Sequence, residues 1–215
     1  MGGWTENDIA QCVCDEAKQA GSALVVVNTK SAAAALYNLC KQNMDNDNVF
    51  HLSANMCPAH RLKIIDEIKD WPQGRGAMVC VSTQVIEAGV DIDFGSVVRY
   101  LAGLDSIAQA AGRCNRNGRR PKGKVLIVNP SHESLTMLPE IEIGKATTER
   151  VLDEYRKAPG AFDNDVLGPR AMERYYQYYF FNRAQEMAYR VSSKEVGHDD
   201  DLLSMLSTNP LSVAA

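Results

Sequence analysis

The feature of this chain that most constrains its fold is an alternation of short apolar runs with longer helical stretches. The first run, ALVVVNT at 23–29, is continuous, rich in β-branched residues and preceded by Gly21 and Ser22, which is typical of a strand buried on both faces. The stretch at 31–41 follows it, opens with a serine suited to cap a helix and is rich in alanine. Further apolar runs occupy residues 48–53, 77–83, 97–101 and 124–129.

Strands that alternate with helices predict an α/β fold, with an open, mostly parallel sheet flanked by helices and joined by right-handed crossovers. One helix is predicted over 5–20, ahead of the first strand, and others over 61–71 and 105–112. Ligands of such sheets lie beyond the carboxyl ends of the strands. The polar residues at those ends are therefore the first candidates for a functional site.

The pattern changes after Pro130. No further strand is predicted, and two helical segments at 147–157 and 169–190 carry six of the eight tyrosines. Tyrosines on a helix can stack on nucleic-acid bases but more often pack against a neighbouring domain. The acidic, proline-containing end of the chain is typical of a solvated tail or of the start of another domain. We therefore predict a sheet domain over 1–135 and a helical appendage with a tail over 136–215.

Composition excludes several classes of protein. No run approaches the roughly 18 apolar residues of a membrane span, and the first residues lack the basic and apolar regions of a secretory signal. The six cysteines include no CxxC pair and have no histidine at a zinc-ligand spacing. We expect a cytoplasmic globular protein with reduced thiols and no metal site.

Charge is unevenly distributed along the chain. The net charge of −4 argues against binding nucleic acid through bulk charge. Between residues 99 and 124, however, seven basic residues stand against one acid, Asp105. Any anion site is expected in that interval, whose basic residues are Arg99, Arg113, Arg116, Arg119, Arg120, Lys122 and Lys124.

The segment QAAGRCNRNGRR at 109–120 contains the most informative pair of residues. Arg113 and Arg116 are three apart, which on a helix would put both guanidinium groups on one face. Two adjacent cations need an anion to offset their repulsion, and their forked donors match phosphate oxygens. Gly112 would allow close approach to the backbone. An arginine-rich turn by itself is more often a solvated surface. The surrounding sequence therefore has to decide between a solvated surface and an anion site.

The segment VSTQVIEAGVDIDF at 81–94 supplies that context. Thr83 stands where a strand ends and backbone N–H groups become free, a suitable place for a nucleic-acid phosphate. The turn that follows contains Glu87, Gly89 and Asp91. An acid in such a turn often only caps it, but at the carboxyl end of a strand it can also accept a hydrogen bond from a ribose hydroxyl.

The order of these segments resembles that of superfamily 2 helicases. TQVIEAGVDID and QAAGRCNRNGR are similar to motifs V and VI of that superfamily, and ALVVVNT and HLSANMCPAHR are similar to the motif IV strand and the segment after it. The combined sequence of these segments, over roughly residues 20–130, most resembles that of the CRISPR-associated helicase-nuclease of type I interference systems. The resemblance implies the second RecA-like domain of an ATP-driven nucleic-acid motor.

The resemblance also implies roles for individual residues. In such motors ATP sits between two RecA-like domains, and Arg113 and Arg116 match the motif VI arginines that reach across to the γ-phosphate. Gln109 stands where many relatives have histidine, so its role stays open. The ATP-binding positions of motifs V and VI are matched by Gly89, Asp91, Gln109 and Gly112. Positions that face the backbone of single-stranded DNA are matched by Asn28, Thr29, Ser53 and Thr83.

Several parts of such a motor have no counterpart in the sequence. There is no GxxxxGK[ST] segment, no acidic Walker B box and no histidine–aspartate cluster for a two-metal nuclease. The resemblance therefore implies that ATP and Mg²⁺ are held mainly by a first RecA-like domain, and that a nuclease domain also lies outside this chain. We expect the chain to be part of a longer protein and to hydrolyse ATP negligibly by itself.

The implied partners are single-stranded DNA, the first RecA-like domain, the nuclease domain and a CRISPR RNA-guided surveillance complex, with no membrane. Two other interpretations remain. The chain could belong to another superfamily 2 helicase or translocase, although the motif VI wording favours DNA over RNA. It could also be a non-catalytic RecA-like binding module, although such a module has no physical need for both Arg113 and Arg116.

Overall fold

The computed structural model describes residues 3–72, 74–87 and 91–183, together with the backbone of residues 190–191 and 200–201. Its main sheet consists of β1 (Ser22–Val26), β2 (Val49–Leu52), β3 (Met78–Ser82), β4 (Ser96–Tyr100) and β5 (Lys124–Val128). Six α-helices lie within the described residues: α1 (Glu6–Ala20), α2 (Lys30–Asn43), α3 (Pro58–Lys69), α4 (Leu104–Ala111), α5 (Pro139–Lys157) and α6 (Pro169–Asn182).

All strand pairs of the main sheet are parallel, and the strand order is β2-β3-β1-β4-β5. The predicted α/β fold with an open parallel sheet and flanking helices is therefore confirmed. β1 lies at the centre, with Val25 paired to Val81 of β3 and to Val98 of β4. Because all strands run the same way, their carboxyl ends meet along one edge of the sheet.

Helices cover both faces of the sheet, which explains why most residues of its central strands are apolar. Val25 and Val27 belong to a core cluster that includes residues of α1 and α2. The alternate residues Leu24 and Val26 belong to a second cluster, on the side of α3 and α4, that includes Ile65. Side chains of a strand point alternately to opposite faces, so one apolar run supplies both cores.

Local signals set the helix ends near the sheet. A capping box between Thr5 and Asp8 starts α1, and Gly21 ends it in the left-handed conformation at φ 75°. The side chain of Thr29 accepts a hydrogen bond from the backbone N–H of Ala32 at the start of α2. The carboxyl end of β1 thus passes directly into a capped helix.

The region after Pro130 departs from the sequence predictions. α5 begins at Pro139 rather than at 147. α6 ends at Asn182, whereas the predicted helix continued to 190. Arg190 instead belongs to a two-residue strand, β6 (Arg190–Val191), that pairs with β7 (Asp200–Asp201) in an antiparallel ladder, so the prediction of no further strand was wrong. The interpretation of the chain end as a tail concerns residues that lie mostly outside those described.

Most of the described tyrosines of the helical appendage are buried or partly buried. Tyr175 is 2% exposed and shares a cluster with Leu104 of α4 and Val151 of α5, so α5 and α6 lie against the helix that precedes the arginine pair. Tyr176 is 39% exposed, and Tyr189 lies outside the described residues. None of the described helices combines the length and the apolar character needed to cross a lipid bilayer.

Candidate functional site

The carboxyl ends of the central strands border a groove of about 920 Å³. Asn28, Thr29 and Thr83 line one side of it, and residues between β5 and α5 such as Met137 line the other. Ser53 follows β2 beside Thr83, because Leu52 and Ser82 are register partners, and Ser53 is buried at 5% exposure. The structure thus brings the four predicted strand-end residues to one edge of the sheet.

The side chain of Asn28 is buried and makes its hydrogen bonds within the protein. It is 3% exposed. Its Nδ2 donates to the carbonyl oxygen of Leu101 at 3.1 Å and to Oε2 of Glu133 at 2.8 Å, while its Oδ1 accepts from Nη1 of Arg99 at 2.6 Å. Asn28 therefore connects the strand end to buried charges.

Arg113 and Arg116 lie in a turn after α4, so the single-face geometry that their spacing would have on a helix does not apply to them. α4 ends at Ala111. The backbone N–H of Phe94 then donates to the carbonyl oxygen of Arg113 at 3.0 Å, and that of Asn115 donates to the carbonyl oxygen of Phe94 at 2.8 Å. After this bridge the chain no longer follows the helix, and Asn115 adopts a left-handed conformation at φ 50°.

Arg113 contacts the turn that follows β3 and contains Glu87 and Asp91, called the motif V turn below. Arg113 is 7% exposed, and its Nη2 donates to the carbonyl oxygen of Glu87 at 2.7 Å. Its Nε is buried and has no hydrogen-bond partner within the described part of the chain. Burial and the positive charge of Arg116 lower the pKa of Arg113, which Asp91 partly offsets.

Arg116 is more exposed and contacts the other end of the same turn. Its Nε lies 2.8 Å from Oδ1 of Asp91, and its backbone N–H donates to Oδ1 of Asp93 at 2.8 Å. The two segments are therefore joined at Glu87 through Arg113 and at Asp91 and Asp93 through Arg116.

The structure gives less support to the other predicted ATP-binding residues, which are Gln109, Gly112 and Gly89. Gln109 is exposed on α4. Gly112 has an ordinary helical φ of −63°, and an added Cβ would stand 3.4 Å from the carbonyl oxygen of Gln109, so its backbone conformation does not require glycine. Gly89 lies outside the described residues.

The predicted basic interval is divided rather than forming one anion site. Arg99 is completely buried. Lys124 pairs with Glu16 of α1, and Arg120 donates to the carbonyl oxygen of Ala20. These three cations are engaged inside the protein or at the amino end of the sheet, so the anion-binding candidates that remain beside the motif V turn are Arg113 and Arg116.

A buried ionic network behind the groove was missed in the sequence. Nη2 of Arg99 lies 3.1 Å from Oε1 of Glu87, and Ser106 of α4 contacts both side chains. An arginine in the middle of the apolar run VVRYL was the signal, since a buried charge requires a partner. Burial raises the pKa of Glu87, against the opposing effects of Arg99 and Ser106, and burial also raises the pKa of Glu133.

The described residues contain no group of three or more histidine, cysteine, aspartate or glutamate side chains arranged to hold a metal ion. The donors beside the motif V turn are guanidinium groups, which fit phosphate oxygens and repel metal cations. The unpartnered Nε of Arg113 is consistent with an anionic ligand. This chemistry fits the terminal phosphate of a nucleotide and does not fit Mg²⁺.

Comparison with known families agrees with this arrangement. Residues 19–119, which include β1 to β4, the motif V turn and the arginine pair, match the family described as CRISPR-associated nuclease/helicase Cas3, C-terminal. The matched residues, somewhat less than half of the chain, are thus similar to the C-terminal part of Cas3.

Two curated Cas3 proteins are similar to this chain over short stretches. CRISPR-associated nuclease/helicase Cas3 of Methanothermobacter thermautotrophicus is 34% identical over 94 residues, which are 44% of this chain and 11% of that protein. The Cas3 of Haloferax volcanii is 52% identical over 56 residues, which are 26% of this chain and 6% of that protein. The chain therefore spans a small fraction of the length of these Cas3 relatives.

Solved structures show the same fold. The crystal structure of T. fusca Cas3-ADP has a TM-score of 0.59 and 20% identity, over 85% of this chain and 26% of that one. A structure described as a CRISPR-associated protein has a TM-score of 0.60 and 20% identity, over 93% of this chain and 22% of that one. Both alignments extend beyond the Cas3 family match and so include part of the helical appendage.

Proposed function

We propose that this chain is the second motor domain of an ATP-dependent DNA helicase that acts in CRISPR type I interference. The observation that carries the proposal is the anchoring of Arg113 and Arg116 to the motif V turn, through Glu87 and Asp91. A phosphate approaching from a partner domain would accept from both guanidinium groups and would replace Asp91 as the anion beside Arg116.

Arg113 and Arg116 would act on ATP as arginine fingers. When bound, ATP supplies the phosphoanhydride bond whose hydrolysis drives movement. The two guanidinium groups would stabilise the charge that develops on the γ-phosphate. Other nucleotide contacts would come from Gly89, Asp91, Gln109 and Gly112. A first RecA-like domain would supply the main phosphate and Mg²⁺ contacts, because guanidinium donors suit phosphate and not a metal cation.

The groove at the strand ends would hold the backbone of single-stranded DNA. Thr29 and Thr83 line it, and Thr29 caps α2, whose N-terminus favours negative charge. Ser53 and Asn28 lie beside these two residues on the same edge of the sheet. Since Cas3 relatives are named nuclease/helicases, we also propose a nuclease domain and an RNA-guided surveillance complex as partners, and we propose residues 1–135 as the RecA-like unit.

The test is to join this chain to the first RecA-like domain of its full-length protein and to measure ATP turnover with single-stranded DNA. Arg113→Ala and Arg116→Ala should each lower turnover by about a thousandfold or more. Arg119→Ala, which changes an exposed arginine of the same segment, is the matched control and should retain turnover. The isolated chain should show no DNA-stimulated turnover.

The outcomes separate the competing interpretations. A binding module would retain single-stranded DNA binding and would be indifferent to both arginine substitutions. DNA-stimulated turnover at motor-like rates by the isolated chain would contradict the need for a partner domain. An RNA-dependent but DNA-independent turnover would indicate a different superfamily 2 motor.

A further inference from the structure

The buried ion pair between Arg99 and Glu87 makes more contacts with neighbouring residues than a purely stabilising role requires. The side chains of Arg99 and Glu87 are 0% and 8% exposed. Removing such charges from water is costly, and well-packed apolar residues often serve equally well or better. Arg99 is the only charged residue of β1, β3 and β4, so an uncharged, apolar residue at position 99 would suit the fold. The pair is therefore better explained by the groups that it joins.

One end of the ion pair reaches the proposed DNA groove. Nη1 of Arg99 donates to Oδ1 of Asn28 at 2.6 Å and also contacts the carbonyl oxygen of Val26 at 3.3 Å. Asn28 links β1 to Thr29, which caps α2 and lines the groove. A displacement of this strand end by a bound nucleic-acid backbone would therefore act directly on the Arg99 guanidinium.

The other end of the ion pair reaches the proposed arginine finger. The carboxylate of Glu87 contacts Nη2 of Arg99 at 3.1 Å, while the carbonyl oxygen of the same residue accepts from Nη2 of Arg113 at 2.7 Å. Ser106 fastens the pair, since its hydroxyl lies 2.7 Å from Arg99 and 2.8 Å from Glu87. Glu87 is thus held by its side chain and holds Arg113 by its backbone.

We propose that Arg99 and Glu87 are positioning residues that couple the nucleic-acid groove to the ATP-facing Arg113, through the contacts Asn28–Arg99–Glu87–Arg113. The proposal rests on the proposed motor function. A buried charge cannot leave its partner without a large penalty, so Arg99 and Glu87 move together. Single-stranded DNA at the strand ends would in this way set the position of Arg113 relative to ATP.

The test uses the full-length protein that contains this chain and measures ATP turnover with and without saturating oligo(dT). The stimulation ratio, turnover with DNA divided by turnover without it, reports the coupling. Ser106→Ala removes the bridging hydroxyl and leaves the direct ion pair in place. Glu87→Gln removes the charge but retains hydrogen-bonding atoms. Ser96→Ala is the matched control, because this buried serine of β4 has an unpartnered Oγ within the described residues.

Ser106→Ala and Glu87→Gln should lower the stimulation ratio by about 2- to 30-fold, the usual range for substitutions that alter coupling between sites, and Ser96→Ala should not change it. A purely structural role would lower both turnover rates equally and leave the ratio unchanged, which would overturn the proposal. If Glu87→Gln does not fold, Ser106→Ala decides alone. A wild-type protein without any DNA stimulation would instead refute the proposed motor function.

Discussion

The guanidinium of Arg116 and the carboxylate of Asp91 form an ion pair at the surface, with Nε and Oδ1 2.8 Å apart. The two side chains are 44% and 78% exposed. Water screens such pairs, and they stabilise a fold by no more than about 1 kcal/mol. Arg116 can therefore leave Asp91 for a phosphate at low cost, which suits a residue that acts on a nucleotide held by another domain.

Asp91→Ala should consequently lower the free energy of unfolding of this chain by less than about 1 kcal/mol. The measurement is urea denaturation at neutral pH and low salt. Asp93→Ala is the matched comparison, because Asp93 accepts the backbone N–H of Arg116 at 2.8 Å, and its loss should cost about 0.5–1.5 kcal/mol. A loss well above about 2 kcal/mol for Asp91→Ala would show that the exposed pair is a structural clamp.

Arg99→Met should destabilise the chain strongly, because it leaves the carboxylate of Glu87 buried without its cation. The expected loss is about 3–5 kcal/mol. The double variant Arg99→Met, Glu87→Leu removes both charges and should recover much of that loss. Lys63→Met, which removes one partner of an exposed pair with Glu67, is the control and should cost less than about 1 kcal/mol. Equal losses in the single and double variants would contradict the ion-pair account.

Gly95→Ala should lower stability through a steric clash. A Cβ at this buried position would overlap the carbonyl oxygen of Ala20 and lie 2.8 Å from its Cβ. Overpacking of this kind costs about 1–3 kcal/mol. Gly160→Ala is the control, since nothing lies within 4 Å of its added Cβ, and thermal denaturation should show little change or a slight gain. A stable Gly95→Ala variant would mean that α1 can move away from β4.

Glu133→Gln should change how stability depends on pH. Burial raises the pKa of Glu133, while a hydrogen bond from Asn28 opposes that shift. Because the net pKa is raised, the folded state binds the proton more tightly than the unfolded state. Stability from this group is therefore present at low pH and is lost as the pH rises through the raised pKa.

The unfolding free energy of Glu133→Gln relative to the wild type should accordingly increase between about pH 4 and about pH 7. Denaturant titrations at both values measure it. Glu142→Gln, on the exposed surface of α5, controls for removal of a carboxylate from the surface. A difference for Glu133→Gln that falls as the pH rises would contradict the direction of the pKa shift.

The strands and helices of the sheet domain were predictable because their signals are local. A continuous β-branched run such as 23–29 suits burial on both faces, and Gly21 stops α1 with a conformation that suits glycine. The start of α5 was missed because Gly144 lies inside this helix, where glycine is a poor helix former. The helical signal ahead of residue 147 is correspondingly weak.

Only packing explains why α5 tolerates Gly144. An added Cβ at Gly144 would stand 3.1 Å from Cα of Gly103, just ahead of α4. The glycine therefore lets α5 approach the helix that precedes the arginine pair. No local pattern reveals such a contact, because the two glycines are far apart in the sequence.

The candidate site was predicted in its parts but not in its arrangement. The spacing of Arg113 and Arg116 singled out a pair suited to an anion, but it did not predict the turn, bridged to Phe94, in which the pair lies. Their roles stay predictions, as do those of the strand-end residues. Asn28 was expected to face nucleic acid, whereas its side chain is engaged by Arg99 and Glu133.

The amino-acid sequence is sufficient to establish the sheet, its parallel direction and the edge at which the polar strand-end residues meet, because apolar periodicity and turn residues act over short distances along the chain. Which charges face outward is instead set by tertiary contacts. The sequence analysis placed Arg99 and Arg116 in one basic interval, but one is buried against Glu87 and the other pairs with Asp91 at the surface. That difference depends on distant segments, since the cost of burying a charge is set by the partners that the fold brings to it.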